Sequence, residues 1–363
     1  MLLYDQSREH FESKYELGEI LADKANLAYK YKAELNMSDE EVYNMFDDAY
    51  TKDPKNFTSA KGLYTYFSLM VDLFDAKKKS AQAMFDKYDD VSEIIEGIIS
   101  DNTLKLNELA SKEESGKELS KKELQRRSSY ESYIDAFETK ILPSMDQKLG
   151  ERATCEVLVP LYQKDFEENK TNTVWLQRAM NRMYAKGCKE DPLFLQLVEQ
   201  KNSIKPTADT AFYLYLLTGE QKYFDQTVEL ETDPLKKAKL YKKLAQELKG
   251  KGNYSKARQY YMEALRLNPS DGSPYLAIAA MYAKSANNCG DSNFNKRAVF
   301  WLAANEAEKA GRVDGRLRSA AAQTATSYRA SAPSKADIFT AGNAGETIKI
   351  GCWIGRSVTV PNI

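Results

Sequence analysis

The sequence predicts an all-α fold: a right-handed α-solenoid of stacked helix pairs, closed by a small C-terminal β-hairpin. Three observations carry this. Apolar residues recur at helical spacing through most of the 363 residues, with only 17 glycines and 10 prolines to interrupt them. Residues 238–269 read as two short amphipathic helices joined by a glycine turn and ended by a proline. Near the C-terminus, "ETIKIGCWIGRSVTVP" changes to period-two alternation on both sides of a turn, the pattern of a hairpin.

The 238–269 pair is the reference for the rest. Tyr241, Leu244, Ala245 and Leu248 are spaced i, i+3, i+4, i+7 and share one helix face. Gly250 and Gly252 break that helix. The second helix carries Tyr254, Ala257, Tyr261 and Ala264 on one side, and Pro269 ends it. Small residues let the two helices approach; Tyr241, Leu244 and Tyr261 fill the gap to the next pair. This stretch resembles the tetratricopeptide repeat, whose pattern of aromatic, Leu, small, aromatic, then Ala, aromatic, Ala, Pro is met here almost position for position. The resemblance implies a scaffold and names no reaction.

Composition sets the outer bounds. Charged residues are 29% of the chain and the net charge is −1, which argues against a nucleic-acid or membrane-surface role driven by overall charge. No run approaches the ~18 apolar residues of a membrane span. The first residues lack a basic start followed by an apolar core, so the chain is expected either to stay in the cytoplasm or to have lost a leader. Cys155, Cys188, Cys289 and Cys352 have no metal-ligand spacing, and His10 is the only histidine, which argues against a mixed zinc site. Spacing alone leaves four unrelated buried thiols as open as any of the three pairings.

Three regions are expected: 1–150, helical with degenerate repeats and a charged segment; 151–312, the repeats; 313–363, a capping helix and the hairpin. Residues 1–36 read as one or two helices that open without a clear cap, as the tail of something longer would. Ser38 and Glu41 form a capping box. Phe46, Ala49 and Pro54 then fit a repeat's second helix, and Leu63 and Phe67 the next first helix. Residues 80–110 form a helix with Met84, Tyr88, Val91, Ile94, Ile95 and Ile98 inward. Ser111–Arg127 reads as a solvated loop and exposed helix start, with a charged docking face as the alternative. A long helix follows to about Ile141, ended by Pro143.

Repeats resume near Arg152. Trp175, Ala179, Gly187, Phe194, Val198 and Pro206 fit the template, followed by a shortened repeat over 207–233 and the reference pair. The last repeat keeps Tyr275, Ile278, Ala279 and Tyr282 and carries an insertion, "SANNCGDSNFN". Cys155 opens one helix and Cys188 closes the next, so their ends are adjacent if the helices are antiparallel. The hairpin must pack on the final helices, because an isolated one is marginal, and Cys352 is then near Cys289.

Taken together, "TCEVLVPLY…GCKEDPLF", "NNCGDSNFNKRAVFWLAANEAEKAGRVD" and the hairpin sequence resemble a group of exported tetratricopeptide proteins of Gram-negative bacteria. That resemblance implies a periplasmic or outer-membrane-facing location, with cytoplasmic as the alternative, and no enzymatic activity or cofactor. It also implies oxidised Cys155–Cys188 and Cys289–Cys352, which an oxidising compartment preserves.

No catalytic constellation is evident. His10 reads as a solvated surface residue, and no phosphate-binding or dinucleotide glycine loop occurs. Asp47–Asp48 and Asp89–Asp90 read as solvated faces or caps. Asn36, Asn56 and Asn253 begin sequons that matter only in a glycosylating host. The remaining candidate is a concave groove lined by the first helices of the repeats. Lys239, Lys242, Gln246 and Lys249 share one face opposite the buried stripe. Leu276, Ala277 and Ala280 follow in the next repeat, and Leu176, Met180, Met183, Tyr184 and Tyr213 stand on the earlier ones. A basic end beside an apolar, tyrosine-rich end suits an extended, acidic peptide or a partner helix. The alternative is that Met180 and Met183 pack internally and the lysines are only solvated. The expected function is thus a non-catalytic protein-binding scaffold of the cell envelope. The other reading is a structural subunit of a larger envelope complex that uses its edges or its hairpin. An enzyme completed by a partner is the third. No nucleic acid and no transmembrane segment are expected.

Overall fold

The computed structural model describes residues 16–363, so His10 and Tyr15 lie outside the described part. The fold is all-α, with neighbouring helices packed on one another and one two-stranded antiparallel sheet near the C-terminus. Two compact units form. Unit 1 comprises residues up to Asn102 together with Tyr133–Tyr223, and unit 2 comprises Thr103–Ser132 with Phe224–Ile363.

Unit 1 begins with α1 (Leu17–Lys30), α2 (Asp39–Lys52) and α3 (Ala60–Asp75). The capping box opens α2: Ser38 Oγ accepts the Glu41 N–H at 3.2 Å, and the Glu41 carboxylate accepts the Ser38 N–H at 2.7 Å. Val42, Tyr43, Phe46 and Ala49 turn inward from α2 and meet Phe57 and Tyr66 in an aromatic core. The next helix, α4 (Ala81–Glu114), runs from unit 1 into unit 2. Met84, Val91 and Ile95 are buried as the spacing requires, while Phe85 and Ile99 replace the half-buried Tyr88 and Ile98 as deep residues. The helix continues through the polar "SKEE", so the loop within 111–127 is confined to residues 115–120.

The helix that follows does not end at Pro143. After α5 (Lys121–Asp135) the backbone widens into a π segment, Ala136–Ile141, and continues as α6 (Leu142–Leu149). Pro143 sits in the first turn after the widened segment. A missing N–H is tolerated there, and the locked φ already fits a helix. Unit 1 then adds α7 (Cys155–Asn169), α8 (Thr173–Ala185), α9 (Pro192–Ile204), α10 (Ala208–Thr218) and the start of α11 (Gln221–Leu230). Trp175, Ala179, Phe194 and Val198 are buried. Cys155 and Cys188 form a disulfide across a Cα–Cα distance of 5.5 Å, joining the start of α7 to the end of the α8 segment.

Unit 2 is built on α12 (Pro234–Gly250) and α13 (Tyr254–Leu267). Tyr241, Leu244, Ala245 and Leu248 of α12 and Ala257, Tyr261 and Ala264 of α13 are all buried. Gly250 remains helical; the reversal is made at Gly252, whose φ of 76° suits glycine. α14 (Ser273–Ser285) and α15 (Asn293–Val313) form the next pair. α16 (Arg318–Ser331) then lays Ala325 against Ala279, Ala304 and Ala307 and covers the last pair. A short α17 (Lys335–Ala341) leads to β1 (Thr347–Ile350) and β2 (Arg356–Thr359), with Ile348 opposite Val358. Ile350, Ile354, Val358 and Val360 join Ala257, Tyr261, Ile278 and Trp301 in one core. The Cys289–Cys352 disulfide, with a Cα–Cα distance of 5.2 Å, fastens the hairpin to the connection between α14 and α15.

Candidate functional site

Helix α12 presents its buried stripe to α13 and leaves the other face open. Lys239 and Gln246 are exposed on that face; Lys242 and Lys249 flank it, half-buried. Lys242 is already engaged. Its Nζ lies 2.6 Å from Asp271 Oδ2 and 3.1 Å from Ser273 Oγ, at the start of α14. Asp271, just ahead of α14, in turn accepts the N–H of Ser273, the first residue of that helix, at 2.9 Å. Burial opposes ionisation of Asp271, yet Lys242 and the two Ser273 donors hold its carboxyl below the usual carboxylate range. Lys239 and Lys249 take part in none of the ion pairs among the described residues of unit 2. Leu276, Ala277 and Ala280 are half-buried on α14. Unit 2 thus offers a row of cations beside a shallow apolar strip.

The apolar end of the expected groove is different. It belongs to unit 1, whereas the lysine end belongs to unit 2. Leu176, Met180 and Met183 are fully buried, and Tyr213 is only 2% exposed. Tyr184 is half-buried, with its ring 4.9 Å from that of Tyr213 and near Phe194 and Phe212. Leu176, Met180, Met183 and Tyr213 are therefore core, and Tyr184 alone of the set keeps some exposed surface. The residues joining α8 to α10 at its rim are polar: Gln177 Nε2 donates to Asp209 at 3.0 Å, and the Tyr213 hydroxyl donates to Asn181 Oδ1 at 2.9 Å. A helix read in isolation does not reveal that its apolar face is covered from both sides, because both arrangements require the same spacing.

The Asp89–Asp90 and Asp47–Asp48 readings also change. On α4, Asp86, Asp89, Asp90 and Glu93 share one face, and α8 sets Arg178 and Arg182 against it. Arg182 is 5% exposed; it donates to Asp89, to the Tyr162 hydroxyl and to the Phe85 carbonyl. Burial pushes the Asp89 carboxyl up to about 6, with Arg182 and Arg178 pulling the other way. Asp47 accepts from the Tyr66 hydroxyl and stands 3.4 Å from Lys87 Nζ. Asp47 and Asp48 are equally half-exposed, and Asp48 pairs with Lys52. The i, i+3, i+4, i+7 spacing of the four acids, matched by two arginines four apart, was the available signal for this network.

Among the described residues, no group of three His, Cys, Asp or Glu side chains is placed to hold a metal, and no helix is long and apolar enough to cross a membrane. Compared with known proteins, the chain matches no family model and no curated sequence.

Proposed function

We propose that this protein is a tetratricopeptide-type scaffold of the cell envelope that binds an acidic peptide or partner segment on the lysine row of α12. The observation that carries this is that row: Lys239 and Lys249 stand without a carboxylate partner on a rigid helix whose opposite face is fully packed. A preformed cationic face costs little ordering on binding and steers an acidic segment toward it. The match of Tyr241, Leu244, Ala245, Leu248, Ala257, Tyr261, Ala264 and Pro269 to the repeat pattern supports the scaffold type. Two disulfides suit an oxidising compartment, which supports the envelope location. With the apolar half of the groove buried, recognition rests on charge and on the small strip of Leu276, Ala277 and Ala280.

A second reading, a structural subunit that uses its edges, draws on Phe339. This ring is 77% exposed on α17, just before the hairpin. The test is a pull-down from the native envelope fraction with wild type, the Lys239→Glu/Lys249→Glu variant and Phe339→Ser. Loss of partners with the lysine variant alone supports the groove; loss with Phe339→Ser alone replaces it with the edge.

A further inference from the structure

The two disulfides differ in how they meet solvent. Cys188 and Cys289 are each 3% exposed. Their partners diverge: Cys155 is half-buried at the start of α7, whereas Cys352 is exposed in the loop between β1 and β2. The backbone differs as well. Cys352 has a φ of 53°, in the left-handed region, which only Asn36 and Lys77 share among the described non-glycine residues. Beside Cys188 that conformation falls to Gly187, with a φ of 79° and no side chain to oppose it. A residue with a side chain stays there only where its surroundings hold it. At Cys352 those surroundings are the bond to Cys289 and the packed Trp353 that follows.

The element held by the second bridge is slight. Each strand of the hairpin has 4 residues, and a two-stranded hairpin is marginal by itself. It is apolar on one face: Ile350 and Val358 are buried, and Thr347, Lys349, Ser357 and Thr359 are exposed. Both strands lie against α15, and the buried face shares one core with Tyr261, Ile278, Met281 and Trp301. Trp353 rests on Tyr254 and Tyr282, and Arg258 donates to the Ile354 carbonyl at 2.6 Å. Cys289–Cys352 is the only disulfide between this cover and the helices beneath it. The other bridge joins two helices, α7 and α8, that also pack through Tyr162 and Trp175, with ring centroids 5.5 Å apart.

We propose that Cys289–Cys352 is a reducible latch, opened by an external dithiol that attacks Cys352, and that its opening lifts the hairpin from the face made by α13, α14 and α15. Exchange requires a thiolate to reach one sulfur while the other leaves, so access selects both the bridge and the point of attack. The reductant's thiolate forms a bond to Cys352 Sγ; the Cys289–Cys352 bond breaks, and Cys289 leaves with the electron pair and takes a proton. The reductant's second thiolate then displaces Cys352, which takes a proton in turn. The protein gains two electrons and two protons, and the dithiol ends as a disulfide. With the latch open, the backbone at Cys352 is free to leave the left-handed region, and the hairpin keeps only its one apolar face. The latch depends neither on the compartment proposed above nor on the Lys239–Lys249 row.

The test follows the oxidised full chain in dithiothreitol, with timed quenching by an alkylating reagent and mass analysis of the peptides. Cys289 and Cys352 are expected to be alkylated at least roughly tenfold sooner than Cys155 and Cys188. With glutathione, a monothiol, in place of dithiothreitol, the trapped mixed disulfide is expected on Cys352. Amide hydrogen exchange over residues 347–359 should rise while only the latch is open, with exchange over residues 155–204 unchanged. Oxidised glutathione should then restore the starting pattern. Simultaneous or earlier opening of Cys155–Cys188 would overturn the proposal, as would a glutathione adduct on Cys289. Unchanged exchange over 347–359 after reduction of the latch would show that packing alone holds the hairpin, and would overturn it equally.

Discussion

The Glu131 carboxylate accepts the backbone N–H of Gly315 at 3.1 Å, and a Cβ added at Gly315 would collide with that carboxylate. Four residues back on α5, Arg127 donates to the Arg312 and Val313 carbonyls that end α15, and pairs with Glu113 and Glu131. Within unit 2, the charged segment of the α4–α5 turn is therefore a polar clasp on the α15–α16 turn. Gly315→Ala is expected to displace the Glu131 side chain and lose its charged hydrogen bond, at a cost of about 1.5–3 kcal/mol in denaturant unfolding. Glu131→Gln should cost less alone and add little to Gly315→Ala, because both remove the same contact. Additive costs would show that the two residues act separately.

The disulfides close loops of different length, with sequence separations of 33 and 63. Chain entropy assigns each about 4 kcal/mol, the longer loop exceeding the shorter by only about 0.6. Their local consequences should differ more than their stabilities. Replacing Cys289 and Cys352 by Ala is expected to loosen the hairpin and shift Trp353 fluorescence to the red. Replacing Cys155 and Cys188 should leave that signal unchanged, since Trp353 is held by unit 2 residues, among them Tyr254, Tyr282, Ser285 and Arg258. Emission spectra of the two variants, with Trp175 and Trp301 replaced by Phe, check this.

Much of the fold was legible because each helix carries local instructions. Ser38 with Glu41, Gly252 and the alternation around Gly355 specify a start, a reversal and a hairpin through short-range sterics and hydrogen bonds. Pro143 was misread because its rule concerns a regular helix, and no local spacing announces the π segment ahead of it, Ala136–Ile141. The site was harder to read for a related reason. The spacing of Leu176, Met180 and Met183 identifies an apolar face but cannot say how many neighbours cover it. Lys239 and Lys249 were readable because a cation without a partner on the outer side of a helix requires no knowledge of a distant residue. Lys242 was not, because its partner Asp271 arrives from the next helix pair.

The buried Asp89 yields a pH dependence with a definite sign. Its folded carboxyl titrates at about 6, above the ordinary value of 3.8, so the folded state holds the proton more tightly than the unfolded chain. Stability from this group is fully present below about pH 4 and is lost as pH rises through 6, by about 3 kcal/mol in all. Asp89→Asn, which mimics the neutral form, is expected to flatten unfolding free energy between pH 4 and 6. A profile that still falls over that range in the variant would assign the effect to another group.

The Lys242–Asp271 pair should behave in the opposite way. The folded carboxyl of Asp271 lies below its ordinary value of 3.8, so its contribution is present above about pH 4 and lost as pH falls through the depressed value. Asp271→Asn is expected to cost about 1–2 kcal/mol at neutral pH, a cost that vanishes in acid. It also frees Lys242, adding a third unpaired cation to the row of Lys239 and Lys249. If an acidic segment binds there, the variant should bind it more tightly while folding less stably. The two effects separate in one experiment: anisotropy with a labelled poly-glutamate peptide, beside denaturant unfolding of the same preparation. Unchanged affinity would place the ligand away from Lys242, and weaker affinity would make Asp271 a contributor to the surface through the start of α14.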